Sequence, residues 1–206
     1  MTQLTARSDM IVFAGARDPA VYVVKLRAAG EGDANVETIK KVVGRLDVMI
    51  AIAGMKNGYQ PGTEGLFGRH GGALRGSGNA LDPLVLFQAA DSLLKKSYNP
   101  KFVLVSTSAR SVELGTKLSM PIMCYGSTKA AVNLIAAKLW HENPQIAVLL
   151  LHPGFVRTLL GIFIPVRSQL KSFELISPDQ SVAALLKLIG SGIIKERCVW
   201  AVREQR

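Results

Sequence analysis

Cysteine is scarce: the 206 residues contain 2, Cys124 and Cys198, too far apart for a C-x-x-C pair. Neither a disulfide framework nor a cysteine zinc site can be built from them, and a reducing, cytoplasmic setting is expected. Long apolar runs are also missing. The longest are short stretches such as residues 146–151, well under the ~18 residues a spanning helix needs, so no membrane association is expected. The run Met10-Ile11-Val12-Phe13 before Ala14-Gly15-Ala16 is too short, and too poor in preceding basic residues, to read as a leader peptide. Acidic residues number 15 against 25 basic ones, a formal charge of +10. The basic residues are scattered, with no run longer than Lys40-Lys41 or Lys95-Lys96. No helix-turn-helix, RNP or zinc-finger pattern accompanies them, so a solvated surface is expected rather than nucleic-acid binding. The histidines, His70, His141 and His152, lack ligand spacing, and Gln145 stands where a zincin motif begun at His141-Glu142 needs its second histidine. No metal is expected. There is no G-x-S-x-G elbow either, which removes the nucleophile of a serine hydrolase.

What is present is alternation. Short runs rich in Val and Ile, at residues 11–16, 22–26, 48–53, 102–106, 146–151 and 198–202, are apolar on both faces and read as buried parallel strands. Between them, residues 34–43, 84–96, 127–142 and 179–189 have helical character, with Ser177 or Asp179 as a candidate cap beside Pro178 in the last. Strand and helix in turn predict an α/β architecture with a parallel sheet. A chain of this length buries about two-thirds to three-quarters of its unfolded surface, so one domain over 1–206 is expected. Residues 62–78 depart from the pattern, with seven glycines in seventeen residues. They read as an irregular, Gly-rich insert, because Leu81 stands where a G-x-G-x-x-G would place its third glycine.

Chemistry concentrates in three places. Tyr125 and Lys129 lie four residues apart at the opening of an Ala/Leu-rich helix, hence on one face. A cation near a phenol favours phenolate and lowers the phenol pKa toward working pH, as a proton donor to a ketone requires. Upstream, the strand ending at Val105 runs into Ser106, Thr107 and Ser108, hydroxyls at a carboxyl strand end, where open α/β sheets bind ligands. Downstream, a second strand runs into His152-Pro153-Gly154-Phe155-Val156-Arg157-Thr158.

Together with Phe13-Ala14-Gly15-Ala16-Arg17-Asp18-Pro19, these segments resemble the short-chain dehydrogenase/reductase family, most closely its fungal norsolorinic acid ketoreductase type. The resemblance implies a Rossmann-like, doubly wound parallel sheet and NADP(H)-dependent reduction of a small-molecule ketone. A polyketide-type substrate of secondary metabolism is implied too, as is association into a homo-oligomer. It carries over Tyr125 as proton donor and Lys129 as the ribose-binding residue that tunes it. It also implies Thr107, with Ser108 as the neighbouring substitute, as the substrate hydroxyl, and Asn79 as the relay asparagine. Ala53, Gly54, Val156 and Thr158 fall on cofactor-contacting segments, and Arg17 follows the strand whose end distinguishes a 2′-phosphate from a 2′-hydroxyl. The apolar stretch 159–173 suggests an aromatic or otherwise greasy substrate.

The sequence also departs from the family pattern. The run 11–16 already resembles the family's second strand, and residues 1–10 contain no glycine from which to make the pyrophosphate-binding turn. Ile52-Ala53-Gly54 replaces the family's Asn-Ala-Gly, and Arg27 stands where an acidic residue is expected. This reads as an N-terminally shortened, degenerate member lacking the first strand and Gly-rich loop, which should bind NADPH weakly and turn over little. The alternative is an inactive remnant that retains an association surface. If Arg17 reads a 2′-phosphate, Arg17→Ala weakens NADPH binding by about 1.5–3 kcal/mol, the worth of a hydrogen bond to a charged group, and leaves NADH nearly untouched. Calorimetric titration with both nucleotides checks this; equal weakening would assign Arg17 a structural role.

Overall fold

A computed structural model describes residues 8, 10, 11, 37, 39–52, 77–116, 123–157, 175–191 and 199–201. Among the described residues four parallel strands form one sheet in the order β1-β2-β3-β4: β1 (Val48–Ala51), β2 (Lys101–Val105), β3 (Ala147–Leu151) and β4 (Val199–Ala201). The expected runs 48–53, 102–106, 146–151 and 198–202 thus appear as strands with slightly shifted ends. The expected runs 11–16 and 22–26 lie outside the described residues, apart from Ile11. Register is fixed by Val103 opposite Ile50 on one side and Leu149 on the other.

Alternate side chains of β2 and β3 face opposite ways, and both faces are covered. Phe102, Leu104, Val148 and Leu150 pack beneath two long helices, α1 (Ser77–Leu94) and α3 (Met123–Glu142), through Phe87, Ala90, Leu94, Val132, Ala136 and Leu139. Phe87 meets Phe102 edge-on, with ring centroids 5.1 Å apart. On the other face Val103, Leu149 and Leu151 pack against Leu185 and Ile189 of α4 (Pro178–Gly190). This two-sided burial accounts for near-continuous apolar runs in place of alternation, and it makes the sheet doubly wound.

The polar details follow from helix ends. Ser177, rather than Asp179, caps α4 in a reciprocal box with Gln180, and Pro178 takes the first turn, where its missing N–H does no harm. At the other end of α4 the Lys101 ammonium, buried beneath the helix, donates to the Ile189 carbonyl at 2.8 Å. A cation there satisfies an orphan carbonyl and opposes the negative end of the helix dipole.

One boundary is corrected. Ser77 and Gly78, read as the end of the Gly-rich insert, are the first residues of α1, which begins seven residues before Leu84; residues 62–76 lie outside the described residues. The turn-like composition of Gly78, Asn79, Asp82 and Pro83 hid this start. Pro83 sits inside the helix and has no N–H to give the Asn79 carbonyl four residues back, so the ladder skips that rung.

Candidate active site

The carboxyl ends of β2 and β3 lie side by side, and the pairing continues one residue past β2, where Ser106 N–H donates to the Leu151 carbonyl at 2.8 Å. The Ser106 hydroxyl, buried on the α3 side, donates to Asn133 Oδ1 at 3.0 Å. Thr107 then caps a single 3-10 turn, Ser108–Arg110, its Oγ1 accepting from the Ala109 N–H at 3.3 Å. That bond uses a lone pair and leaves the Thr107 O–H as a donor. A short helix, α2 (Val112–Gly115), follows.

A glycine on each of α3 and α2 sets how closely that helix approaches this turn. A Cβ on Gly126 would lie 2.8 Å from the Ala109 carbonyl oxygen, and one on Gly115 would lie 2.3 Å from it. Any larger residue would push the turn and the helix start apart. Because Gly126 follows Tyr125 directly, the contact brings the tyrosine's backbone up to the 3-10 turn that Thr107 caps.

Tyr125 and Lys129 are one turn apart on α3. Lys129 is only 4% exposed, and its ammonium donates to the Val105 carbonyl at 2.8 Å. Its other two N–H donors take no partner among the described residues, a donor set suited to the vicinal hydroxyls of a ribose. The Tyr125 hydroxyl takes no hydrogen-bond partner among the described residues. Burial raises the Tyr125 phenol pKa above its usual 10.0 and lowers that of Lys129 below 10.5. For the tyrosine this reverses the direction expected from the spacing, because the ammonium is turned to the Val105 carbonyl and desolvation of the phenol outweighs its attraction. At neutral pH Tyr125 is therefore a neutral phenol, the proton-donating form.

Asn79, 2% exposed in the first turn of α1, donates through Nδ2 to Thr128 Oγ1 at 3.2 Å, joining the two helix starts. Val156 lies on the far side of the β3 end, in an isolated parallel bridge with Ile176. Gly154 in the intervening turn has φ +81, and a Cβ there would lie 2.8 Å from Ile176 Cδ1. Pro153-Gly154 is thus a turn that only glycine completes. Of the expected site residues, the fold gathers Asn79, Thr107, Ser108, Tyr125 and Lys129 around the start of α3 and the end of β2. Arg17, Ala53, Gly54 and Thr158 lie outside the described residues.

Gly126, Thr128, Asn133 and His152 were given no site role from sequence. Asn133 had a legible signal, since it lies eight residues from Tyr125 and four from Lys129 on the same helical face. His152, the residue following β3, packs edge-on against the Phe155 ring, with centroids 6.1 Å apart. Its buried Nδ1 has no partner among the described residues. Among the described residues no group of three His, Cys, Asp or Glu side chains is placed to hold a metal ion. No described helix is long and apolar enough to cross a membrane.

No family model matches the chain. Individual relatives do. Over 120 residues it is 37% identical to the short-chain dehydrogenase srdF of Neurospora crassa, covering 57% of this chain and 47% of that protein. Over 166 residues it is 28% identical to the norsolorinic acid ketoreductase of Aspergillus parasiticus, covering 78% and 59%. The chain is similar to short-chain dehydrogenases over more than half of its length. It spans about half the length of the curated relatives it matches. The fold agrees with solved structures of carbonyl reductases. The NADPH-bound carbonyl reductase from chicken fatty liver superposes with a TM-score of 0.73 at 22% identity, covering 94% of this chain and 86% of the other. The carbonyl reductase Sniffer of D. melanogaster gives 0.67 at 20% identity, covering 86% and 71%.

The buried imidazole generates a prediction. Burial, and then the charge of Arg110, hold the His152 pKa below 6.5. The unfolded chain therefore binds a proton at higher pH than the folded one. The stability tied to neutral His152 is complete above its unfolded pKa and is lost as pH falls through 6.5 toward the lowered folded value. His152→Asn, which does not titrate, should lose less stability than the wild type between about pH 7 and pH 5. Urea unfolding midpoints at the two pH values check this, and equal losses would refute it.

Proposed function

We propose that this chain carries the ketone-reducing site of an NADPH-dependent short-chain reductase, with Tyr125 as the acid, Lys129 and Val156 on the cofactor side, and Thr107 as the carbonyl-holding hydroxyl. The observation that carries this reading is the seating of Tyr125 and Lys129 against the β2 end, through the Gly126 contact with Ala109 and the Lys129 bond to Val105. The relatives that share this architecture include a norsolorinic acid ketoreductase and an NADPH-bound carbonyl reductase. Both names support a carbonyl substrate, and the second supports NADP(H).

When bound, a nicotinamide supplies the hydride to the carbonyl carbon. The protein does the rest. Thr107, its oxygen already steadied by the Ala109 N–H, directs its O–H at the carbonyl oxygen. Tyr125, kept protonated by burial, donates a hydrogen bond to the same oxygen and passes its proton as negative charge develops there. Lys129, with two donors left and its ammonium shielded from water, binds the ribose and stabilises the phenolate left behind. Asn79 supports the relay that returns a proton. The cofactor residues Arg17, Ala53, Gly54 and Thr158 complete the proposed site by resemblance. The chain acts in the cytoplasm, and its apolar 159–173 stretch favours an aromatic, polyketide-type ketone.

A homo-oligomer fits the surface. The side-by-side helices α1 and α3 leave Leu81, Val85 and Leu134 exposed, at 53%, 39% and 68%. Apolar side chains of this size on neighbouring helices suit burial against a second copy. The same face would serve an inactive remnant, so cofactor binding decides between the readings: the remnant gives no change in fluorescence on NADPH titration.

The test of the chemistry is Tyr125→Phe, which keeps the ring and removes the proton. At saturating NADPH with an aromatic ketone, the reduction rate should fall by about 10²–10⁴, the usual worth of a positioned general acid. Activity surviving within a small factor would overturn the assignment.

A further inference from the structure

The Tyr125 hydroxyl takes no hydrogen bond among the described residues, so no hydrogen bond of its own orients the phenol and the hold on its backbone bears on where it sits. Three neighbours hold that backbone, each toward a different element. Gly126 abuts the Ala109 carbonyl of the strand-end turn. Lys129 reaches down to the Val105 carbonyl of β2. Thr128 faces α1, where Asn79 Nδ2 donates to its Oγ1 at 3.2 Å. In turn the Thr128 hydroxyl donates to the Tyr125 carbonyl at 2.9 Å.

A threonine inside a helix commonly gives its hydroxyl to a carbonyl one turn back, and alone that bond has little consequence. Here the same oxygen is also an acceptor, for a nearly buried amide 49 residues away in sequence. A hydroxyl used as donor and acceptor at once has one rotor setting. The amide fixes that setting, and the setting fixes the donation to the residue carrying the phenol. We propose that Thr128 is a positioning residue for Tyr125: the chain Asn79 to Thr128 to the Tyr125 carbonyl locks the first turns of α3 against α1, so that the phenol meets a bound carbonyl in one orientation. The proposal rests on the reductase reading for its catalytic consequence, and on hydrogen bonds alone for its structural one. Asn79 thereby acts through its side chain as a brace, separately from any role in proton return.

Thr128→Val keeps the shape and removes the hydroxyl, whereas Thr128→Ser restores it. Tyrosine labelled with ¹³C at Cζ gives an activity-independent readout in the intact chain, the Tyr125 line being identified by its absence in Tyr125→Phe. The valine variant should shift or broaden that line and alter its titration, and the serine variant should return both to the wild-type state. In turnover the valine variant should lose about ten- to a hundredfold in kcat, as expected for a misplaced reacting group, with the ketone KM nearly unchanged. The serine variant should recover it. Should the valine variant fail to fold, Asn79→Asp provides the second arm. Its carboxylate can only accept, which turns the Thr128 hydroxyl away from the Tyr125 carbonyl and should disturb the same resonance. A Tyr125 line unchanged in a folded Thr128→Val or Asn79→Asp variant, or a kcat defect that serine does not rescue, overturns the proposal. A wild type that binds NADPH yet reduces no ketone refutes the reductase reading instead, and the resonance still decides the brace.

Discussion

The approach of α3 to the carboxyl end of β2 is the constraint on which the site depends. Tyr125 rides on that helix and Thr107 on the turn after that strand, so their spacing is the spacing of two backbones. It is set where Gly126 lies against the Ala109 carbonyl, at a distance no side chain would tolerate, while Gly115 of α2 packs on the same oxygen. Below this contact, the buried faces of Phe102, Leu104, Val148 and Leu150 hold the helix to the sheet. The core therefore acts as a ruler for the chemistry as well as a source of stability. Interiors packed at crystal-like density transmit such spacings with little slack.

Burial has opposite effects on the two ionisable members of the site. It favours the neutral phenol of Tyr125, which suits an acid, and disfavours the ammonium of Lys129, which must be held by the Val105 carbonyl. The desolvated environment that weakens the lysine's charge also strengthens whatever hydrogen bonds it makes. A site of this kind carries a stability cost at Lys129 in exchange for strong, directed interactions, the usual relation between function and fold.

Much of this was legible in the sequence, for identifiable reasons. The strands at 48–51, 101–105 and 147–151 were visible because a parallel sheet covered on both sides demands unbroken apolar runs. The Tyr125/Lys129 pair was visible because helical geometry converts a spacing of four into a shared face. What was hidden depended on tertiary neighbours. The start of α1 at Ser77 looked like a turn, since Gly78, Asn79 and Pro83 favour turns locally and only packing makes them helical. The direction of the Tyr125 shift could not be read from spacing, because Lys129 turns to a strand carbonyl that sequence alone does not place nearby. The brace through Thr128 joins residues 49 apart and leaves no periodic trace.

The central claim is that this scaffold directs hydride to a carbonyl carbon and a proton from Tyr125 to its oxygen. The most direct measurement follows the label from NADPH deuterated at both C4 positions during reduction of an aromatic ketone in ordinary water. The account predicts one deuterium on the carbinol carbon of the product alcohol, and at most about a hundredth as much labelled alcohol in a Tyr125→Phe reaction run for the same time. Alcohol carrying solvent hydrogen at that carbon, or labelled alcohol formed equally fast without the phenol, would contradict it.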